Sequence, residues 1–300
     1  AMGRVETLNF DYAIFTNLTQ DHLDYHKTMG NYALAKQKVF KHLKNTGIAI
    51  INGDDKYKEY FLLKENHNVT YGFEADEFKV ENYTMNSEET MFSYSYQGKT
   101  YHTVIKLLGK YNLYNCLAVI ALLTCLGLKA EQIQKILPTL KSPVGRMEII
   151  KYKNNNIIID YAHTPDAIEK VMTALKDLIK GDTYVVFGCT GERDRLKRPI
   201  MTEYISHHSK YFIITNDDPH FEDPAQIVED MTKDLEETNY EVCLDREEAI
   251  IKGIQLLKEN DALFILGKGH EEVIIIRDKK IPFNDKKAVE DYIASTKEEN

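Results

Sequence analysis

"TYVVFGCTGERDRLKRP" (residues 183–199) opens as a strand and ends as the start of a helix. Its first six residues form an apolar, β-branched run, the signature of a buried strand. Gly188 and Gly191 then supply a strand-to-helix turn whose small residues allow close backbone approach. Arg193, Arg195, Lys197 and Arg198 follow, and a helix is expected after Pro199. Small residues plus a basic cluster at a strand end suit an anionic ligand. The turn is not a P-loop, because no GxxxxGK[ST] occurs anywhere in the chain.

The same unit repeats outward from this stretch. Strands are expected at 147–152 and 156–160, then a helix over about 165–180. Downstream come "YFIIT" (211–215), a helix over 224–236, "YEVCL" (240–244) and a helix over 246–259. "ALFILG" (262–267), "EVIIIR" (272–277) and a helix after Asn284 complete the series. Strands alternating with amphipathic helices predict an α/β fold with a mainly parallel sheet. Before Pro143 the texture differs. A strand at 10–16, a helix at 31–44 and a strand at 47–51 precede short alternating runs from 69 to 108, read as a small antiparallel section. Helices at 111–127 and 130–137 close this part. The domain boundary is placed near Val144, giving domains 1–143 and 144–300.

Composition narrows the function classes. The 300 residues are 43% hydrophobic and 28% charged, ordinary for a globular chain of about two domains. A formal charge of −9 argues against a general nucleic-acid or membrane-surface binder. Cys116, Cys125, Cys189 and Cys243 have no CxxC spacing, so reduced thiols are expected instead of a zinc site or disulfide framework. No apolar run approaches membrane length and no signal pattern opens the chain, so a cytoplasmic protein is expected.

Several segments place reactive side chains at strand ends, where open α/β sheets bind ligands. Asp21, His22, Asp24 and His26 lie just past the first strand, either as cation ligands or as a polar loop capping the next helix. On a helix of about 100° per residue, Lys36 falls about 40° from Tyr32, inside the arc of Ala35, Val39, Leu43 and Phe40. A core-facing lysine must neutralise, pair or be modified, for instance to a carbamate; snorkelling is the equal alternative. Asn112 and Asn115 lie one turn apart and either cap their helix or present amides to a base. Asp160 ends a strand before "HTPD", in which Thr164 suits an N-cap and Pro165 the first helical position. A strand-end aspartate can bind a ribose hydroxyl; capping does not explain Asp160 or His163. "ITNDDPHFEDP" (214–224) and "LGKGHEE" (266–272) end two further strands and would share one crevice with the opening stretch.

In order, "GRVETLNFDYAIFTNLTQDHLDYH", "YALAK", "GKYNLYN", "VGRMEII", "IDYAHTPD", "GCTGERDRLKRP" and "GKGHE" resemble successive motifs of the Mur ligase family, the MurE type above all. The resemblance spans nearly the whole chain. It implies a central ATP-binding domain followed by a Rossmann-like C-terminal domain that binds an amino acid. It also implies ADP-forming amide ligation in peptidoglycan precursor synthesis, with ATP and Mg²⁺ as cofactors. The partners implied are UDP-MurNAc-L-Ala-D-Glu and a diamino acid, L-lysine or meso-diaminopimelate; nucleic acid and membrane are not among them. By position, Lys36 would be the carbamylated lysine and His22 a ligand of the same Mg²⁺. Asn115 would contact adenine, and Arg146, Asp160 and His163 would lie at the nucleotide. Arg193, Asp217, Asp218, His220, Gly267 and Glu271 would meet the incoming amino acid.

The chain departs from the family pattern twice. It starts after the place where the family carries its UDP-binding domain and GTxGKT loop, so the central domain is expected to be partial and the isolated chain inactive. Asp217-Asp218-Pro219-His220 stands where diaminopimelate enzymes carry "DNPR". The missing arginine tilts the reading slightly toward L-lysine. A non-catalytic nucleotide- or partner-binding module with this fold, and a folylpolyglutamate-synthetase-like ligase, are the other readings.

Overall fold

The structure is a computed structural model and describes residues 5–298. Gly3 and Arg4, which open the first quoted motif, lie outside the described residues. The chain folds as two compact units, 1–141 and 142–300.

The first unit is built on a six-stranded sheet with strands in chain order. These are β1 (Phe10–Phe15), β2 (Leu43–Asn52), β3 (His67–Gly72), β4 (Phe78–Met85), β5 (Thr90–Tyr96) and β6 (Lys99–Ile105). β1 to β4 run parallel, and β4, β5 and β6 pair antiparallel. The run 69–108 is therefore not a separate antiparallel section, since β3 pairs parallel with β2 and carries the sheet across. Alternation along β2 serves two cores. Ile50 faces a cluster with Leu113, Leu117 and Ile120 of helix α3 (Lys110–Cys125) and Ile133 of α4 (Ala130–Ile136). Ala49 and Ile51 face the opposite cluster with Phe15, Phe40 and Phe61, two of whose rings, Phe15 and Phe61, stack at 3.7 Å. Each such buried Leu, Ile or Phe side chain contributes roughly 1.5–3 kcal/mol.

The helix expected over 31–44 is shorter. After α1 (Leu23–His26), α2 spans Met29–Gln37, capped by Thr28, whose hydroxyl accepts from Asn31 N at 3.2 Å. A single 3₁₀ turn at Phe40–His42 then leads straight into β2. Val39, Phe40 and Leu43 therefore do not continue the face of α2. Its buried residues are Tyr32 and Ala33, and Lys36 is exposed. The apolar arc around Lys36 arose from extending one wheel across a helix end.

The second unit has a six-stranded sheet in which all strands but one are parallel. Its order is β11 (Tyr240–Val242), β10 (Tyr211–Ile214), β9 (Thr183–Phe187), β12 (Ala262–Leu266), β8 (Asn155–Asp160) and β7 (Glu148–Tyr152), with β7 antiparallel. Helices α5 (Pro165–Leu175), α6 (Lys197–His208), α7 (Pro224–Thr232), α8 (Arg246–Gln255) and α9 (Asp285–Glu298) intervene or follow. α6 begins before Pro199, which sits in its first turn where no N–H is needed. Residues 272–277 do not extend the main sheet: β13 (Val273–Ile276) forms a hairpin with β14 (Lys279–Pro282).

Register positions the site. Leu266 pairs with both Asp160 and Phe187, and Phe187 pairs with Ile214. Four parallel strands thus end at one level. β12, the last strand of this sheet in sequence, is inserted between β8 and β9, so the strand order reverses there and opens a crevice at the carboxyl ends. The loops after β8, β9, β10 and β12 all leave from that edge.

Candidate functional site

The loops after β10 and β12 build a buried charge cluster. Lys268 is fully buried, and its Nζ donates to Asp218 Oδ1 at 2.8 Å and Glu271 Oε2 at 2.8 Å, with Asp217 Oδ1 at 3.8 Å. Glu271 Oε1 accepts from the Tyr161 hydroxyl at 3.2 Å, and Asp218 Oδ1 also accepts from Ile275 N. Burial pulls the Lys268 ammonium down, yet the three surrounding carboxylates outweigh it and hold it above its usual range. One ammonium cannot neutralise three carboxylates. Burial and that excess of negative charge push the Asp217 carboxyl up despite Lys268 and Arg246 nearby. Asp217, Asp218 and Glu271 are close enough to share a cation, but Lys268 already holds their centre. What remains is surplus negative charge suited to a ligand's ammonium group.

Glycines bring these loops together. A Cβ on Gly188 would lie 2.2 Å from the Thr215 carbonyl oxygen, and one on Gly191 2.0 Å from that of Pro219. Gly267 has φ +110°, and a Cβ there would meet Asp217 Oδ2 at 2.6 Å. Beneath the cluster, Arg246 and Asp285 form a fully buried two-pronged pair, and Arg246 also donates to the carbonyls of Asn216 and Leu266. It anchors the ends of β10 and β12 at a common height.

Three of the residues expected at the nucleotide, Arg146, Asp160 and His163, gather on the β8 side of the same edge. The Arg146 guanidinium lies over the Tyr161 ring at 4.5 Å, with the rings of His163 at 4.8 Å and His270 at 5.3 Å from it. Asp160, expected at the ribose, lies at the end of β8. It is buried, and its two oxygens accept Met147 N at 2.6 Å and Ala162 N at 2.8 Å. Burial raises its carboxyl, and those two bonds oppose the rise. Arg193 is exposed and lines a groove of about 520 Å³ with Arg195, Phe221 and Gln226. His220 adopts φ 52° and is fixed by Ile275 O and Arg277 N.

In the first unit, His22, His26 and Lys36 surround one ring, that of Tyr32. His22 meets it edge-on at 6.1 Å, His26 stacks at 4.9 Å, and Lys36 Nζ sits 5.4 Å above its centroid. Partial burial and then the neighbouring His22 charge hold His26 below the usual imidazole value. An ammonium does not ligate Mg²⁺; a carbamate on Lys36 would add oxygen donors beside the His22 imidazole, whose Nε2 is 3.4 Å from Asp21 Oδ2. These residues fit one side of a Mg²⁺ site. Asn115 is exposed on α3, donating to Asn112 Oδ1 at 3.1 Å, while Asn112 donates to Leu108 O. Neither asparagine is the cap of α3; Gly109 holds that position.

Known proteins match both units. Residues 1–123 match the Mur ligase middle domain, and residues 145–269 match the Mur ligase glutamate ligase domain. The chain belongs to the Mur ligase family. It is 42% identical over 97% of its length to UDP-N-acetylmuramoyl-L-alanyl-D-glutamate--2,6-diaminopimelate ligase 1 of Clostridium acetobutylicum, covering 61% of that protein. The Clostridium botulinum enzyme of that name is 40% identical over the same 97%, again with 61% of the relative covered. A solved structure of a 2,6-diaminopimelate ligase superposes with a TM-score of 0.61 at 30% identity, covering 98% of this chain and 62% of the other. The chain thus spans about three-fifths of the length of the relatives it matches.

Within this Mur ligase chain, Lys268, Tyr161 and Arg246 were not singled out by sequence. Lys268 stands inside "GKGHE" with Glu271, but only the level ends of β10 and β12 add Asp217 and Asp218 around it. Arg246 opens α8 far from any motif. Thr164 does cap α5 as expected, accepting from Ala167 N at 3.3 Å. All four cysteines are free thiols, and no helix among the described residues is long and apolar enough to cross a membrane.

Proposed function

We propose that this chain forms the greater part of a cytoplasmic, ADP-forming acid–amino-acid ligase of peptidoglycan precursor synthesis. The whole protein would join a diamino acid to UDP-MurNAc-L-Ala-D-Glu. ATP phosphorylates the substrate carboxylate, ADP leaves, the amine attacks the acyl phosphate, and phosphate departs. The observation that carries this reading is the surplus of carboxylates around Lys268, which suits the ammonium end of an amino acid. The names of the relatives favour 2,6-diaminopimelate over the L-lysine preference suggested by His220. Arg193, exposed in its groove, is a guanidinium available to a distal carboxylate.

Asn115, Arg146, Asp160 and His163 are the proposed nucleotide residues. Arg193, Asp217, Asp218, His220, Gly267 and Glu271 are those for the amino acid. Asp160 supports the site by holding the Met147 and Ala162 amides, with Tyr161, Arg146 and His163 facing the ligand. His22 and Lys36, as a carbamate, would hold Mg²⁺, which when bound screens phosphate charge. The remainder of the acceleration is positioning and electrostatics.

The test is a ligation assay on the full-length protein with ATP and UDP-MurNAc-L-Ala-D-Glu, offering diaminopimelate or L-lysine. Amide product and stoichiometric ADP are expected only with all substrates present, with diaminopimelate preferred. Lys36→Ala should abolish turnover while leaving stability within about 0.5 kcal/mol, because the residue is exposed. Absence of amide product from the full-length protein would overturn the function, and full activity of the variant would remove Lys36 from it.

A further inference from the structure

The loops after β9 and β10 are latched by one carboxylate. Glu222 Oε2 accepts the backbone N–H of Glu192 at 2.9 Å. The same carboxylate takes a two-pronged bond from Arg198, NH1 to Oε1 and NH2 to Oε2, each 2.7 Å. Arg198 is 1% exposed, and it also donates to Asp230 and to the Thr190 carbonyl. Arg195 binds Asp230 through two nitrogens, tying the start of α6 to α7. Charge-assisted, two-pronged pairs of this kind fix orientation as well as distance. The Arg198 hydrogen bonds, above all, hold the Glu222 carboxyl below its usual range, so it stays ionised.

Strain in the two loops shows what the latch is for. Glu192 has φ 55° and His220 φ 52°, left-handed conformations uncommon for non-glycine residues. His220 is imposed upon by its bonds with Ile275 and Arg277. For Glu192 the restraint is the Glu222 carboxylate, helped by Gly191 N donating to Asp218 O at 2.8 Å. Arg193 is the next residue, and it projects into the groove that Phe221 and Glu222 also line. Both Glu222 oxygens are engaged within the protein, one of them by the amide of the residue before Arg193.

We propose that Glu222 is a positioning residue that holds the Glu192–Arg193 turn against the His220 loop and thereby sets affinity for the incoming amino acid. This rests on the ligase reading above and adds to it a residue outside the family motifs quoted.

Two measurements test it. In the full-length protein, KM for each of the three substrates is compared between wild type, Glu222→Gln and Glu222→Ala. Loss of a charge-assisted bond should raise KM for the diamino acid about tenfold or more in Glu222→Ala and less in Glu222→Gln, leaving the other two KM values within about twofold. Equal rises for all substrates, or no rise, would overturn the proposal. Independently of turnover, hydrogen exchange should show the Glu192 amide deprotected in both variants while β9 keeps its protection. Should Glu222→Ala fail to fold, Glu222→Gln carries both measurements. If wild type gives no amide product, the ligase reading fails, and unchanged exchange at Glu192 would refute the latch on its own.

Discussion

Replacing Lys268 by methionine removes the cation bonded directly to the carboxylate cluster and leaves the carboxylates in place. Lys268 is fully buried and makes two 2.8 Å bonds, so bulk solvent cannot take over its role. Removing one side of a buried ion cluster costs about 3–5 kcal/mol. For a unit spanning residues 142–300, that corresponds to a fall in Tm of about 6–20 °C. The pH dependence has a definite sign. Asp217 already sits above the ordinary carboxylate range, and loss of Lys268 raises it further. A carboxyl raised on folding favours the folded state below its unfolded value and loses that advantage as pH rises through its folded value. The deficit of the variant is therefore largest at neutral pH and shrinks on acidification as the raised Asp217 carboxyl protonates. In wild type the raised Lys268 contributes fully below the ordinary lysine value, and its contribution is lost as pH rises through its folded value. Thermal unfolding followed by circular dichroism at several pH values measures both. A loss under about 1 kcal/mol at pH 7, or a deficit that grows on acidification, would refute the assignment of Lys268 as the counter-ion.

Other consequences are equally direct. Gly191→Ala places a Cβ 2.0 Å from the backbone oxygen of Pro219, so the loops must separate; a loss of about 1–3 kcal/mol is expected in chemical denaturation, and an unchanged midpoint would contradict the close packing. Burial pushes the Tyr94 phenol up to about 12 and raises Tyr71 and Tyr114 further, so absorbance titration of the 19 tyrosines should leave a fraction un-ionised until alkaline unfolding. One step near pH 10 in folded protein would count against this. Burial likewise pushes the Cys116 and Cys189 thiols up to about 12, so both should resist a thiol reagent at neutral pH until the protein unfolds; rapid labelling of either would show the core open.

Local pattern was enough to reveal the α/β class and the strand-end loops. The apolar runs at 156–160, 183–188, 211–215 and 262–267 are buried strands because a parallel sheet covered on both faces needs no polar alternation. Pattern failed where a decision depended on where an element stops. The helical wheel through Lys36 assumed a helix to residue 44, and the chain turns at Gln37. "EVIIIR" has strand composition, but its partner is its own hairpin instead of the main sheet.

Which residue types stand at the ends of strands was already written in the chain, since motif order and residue identity are properties of sequence. Which of them meet depended on tertiary packing. Insertion of β12 between β8 and β9, with Asp160, Phe187, Ile214 and Leu266 in register, places Lys268 among carboxylates some 50 residues away in sequence. It also sets Asp160 against two backbone amides, those of Met147 and Ala162. Burial and register are collective properties of the packed sheet, and no window of sequence contains them.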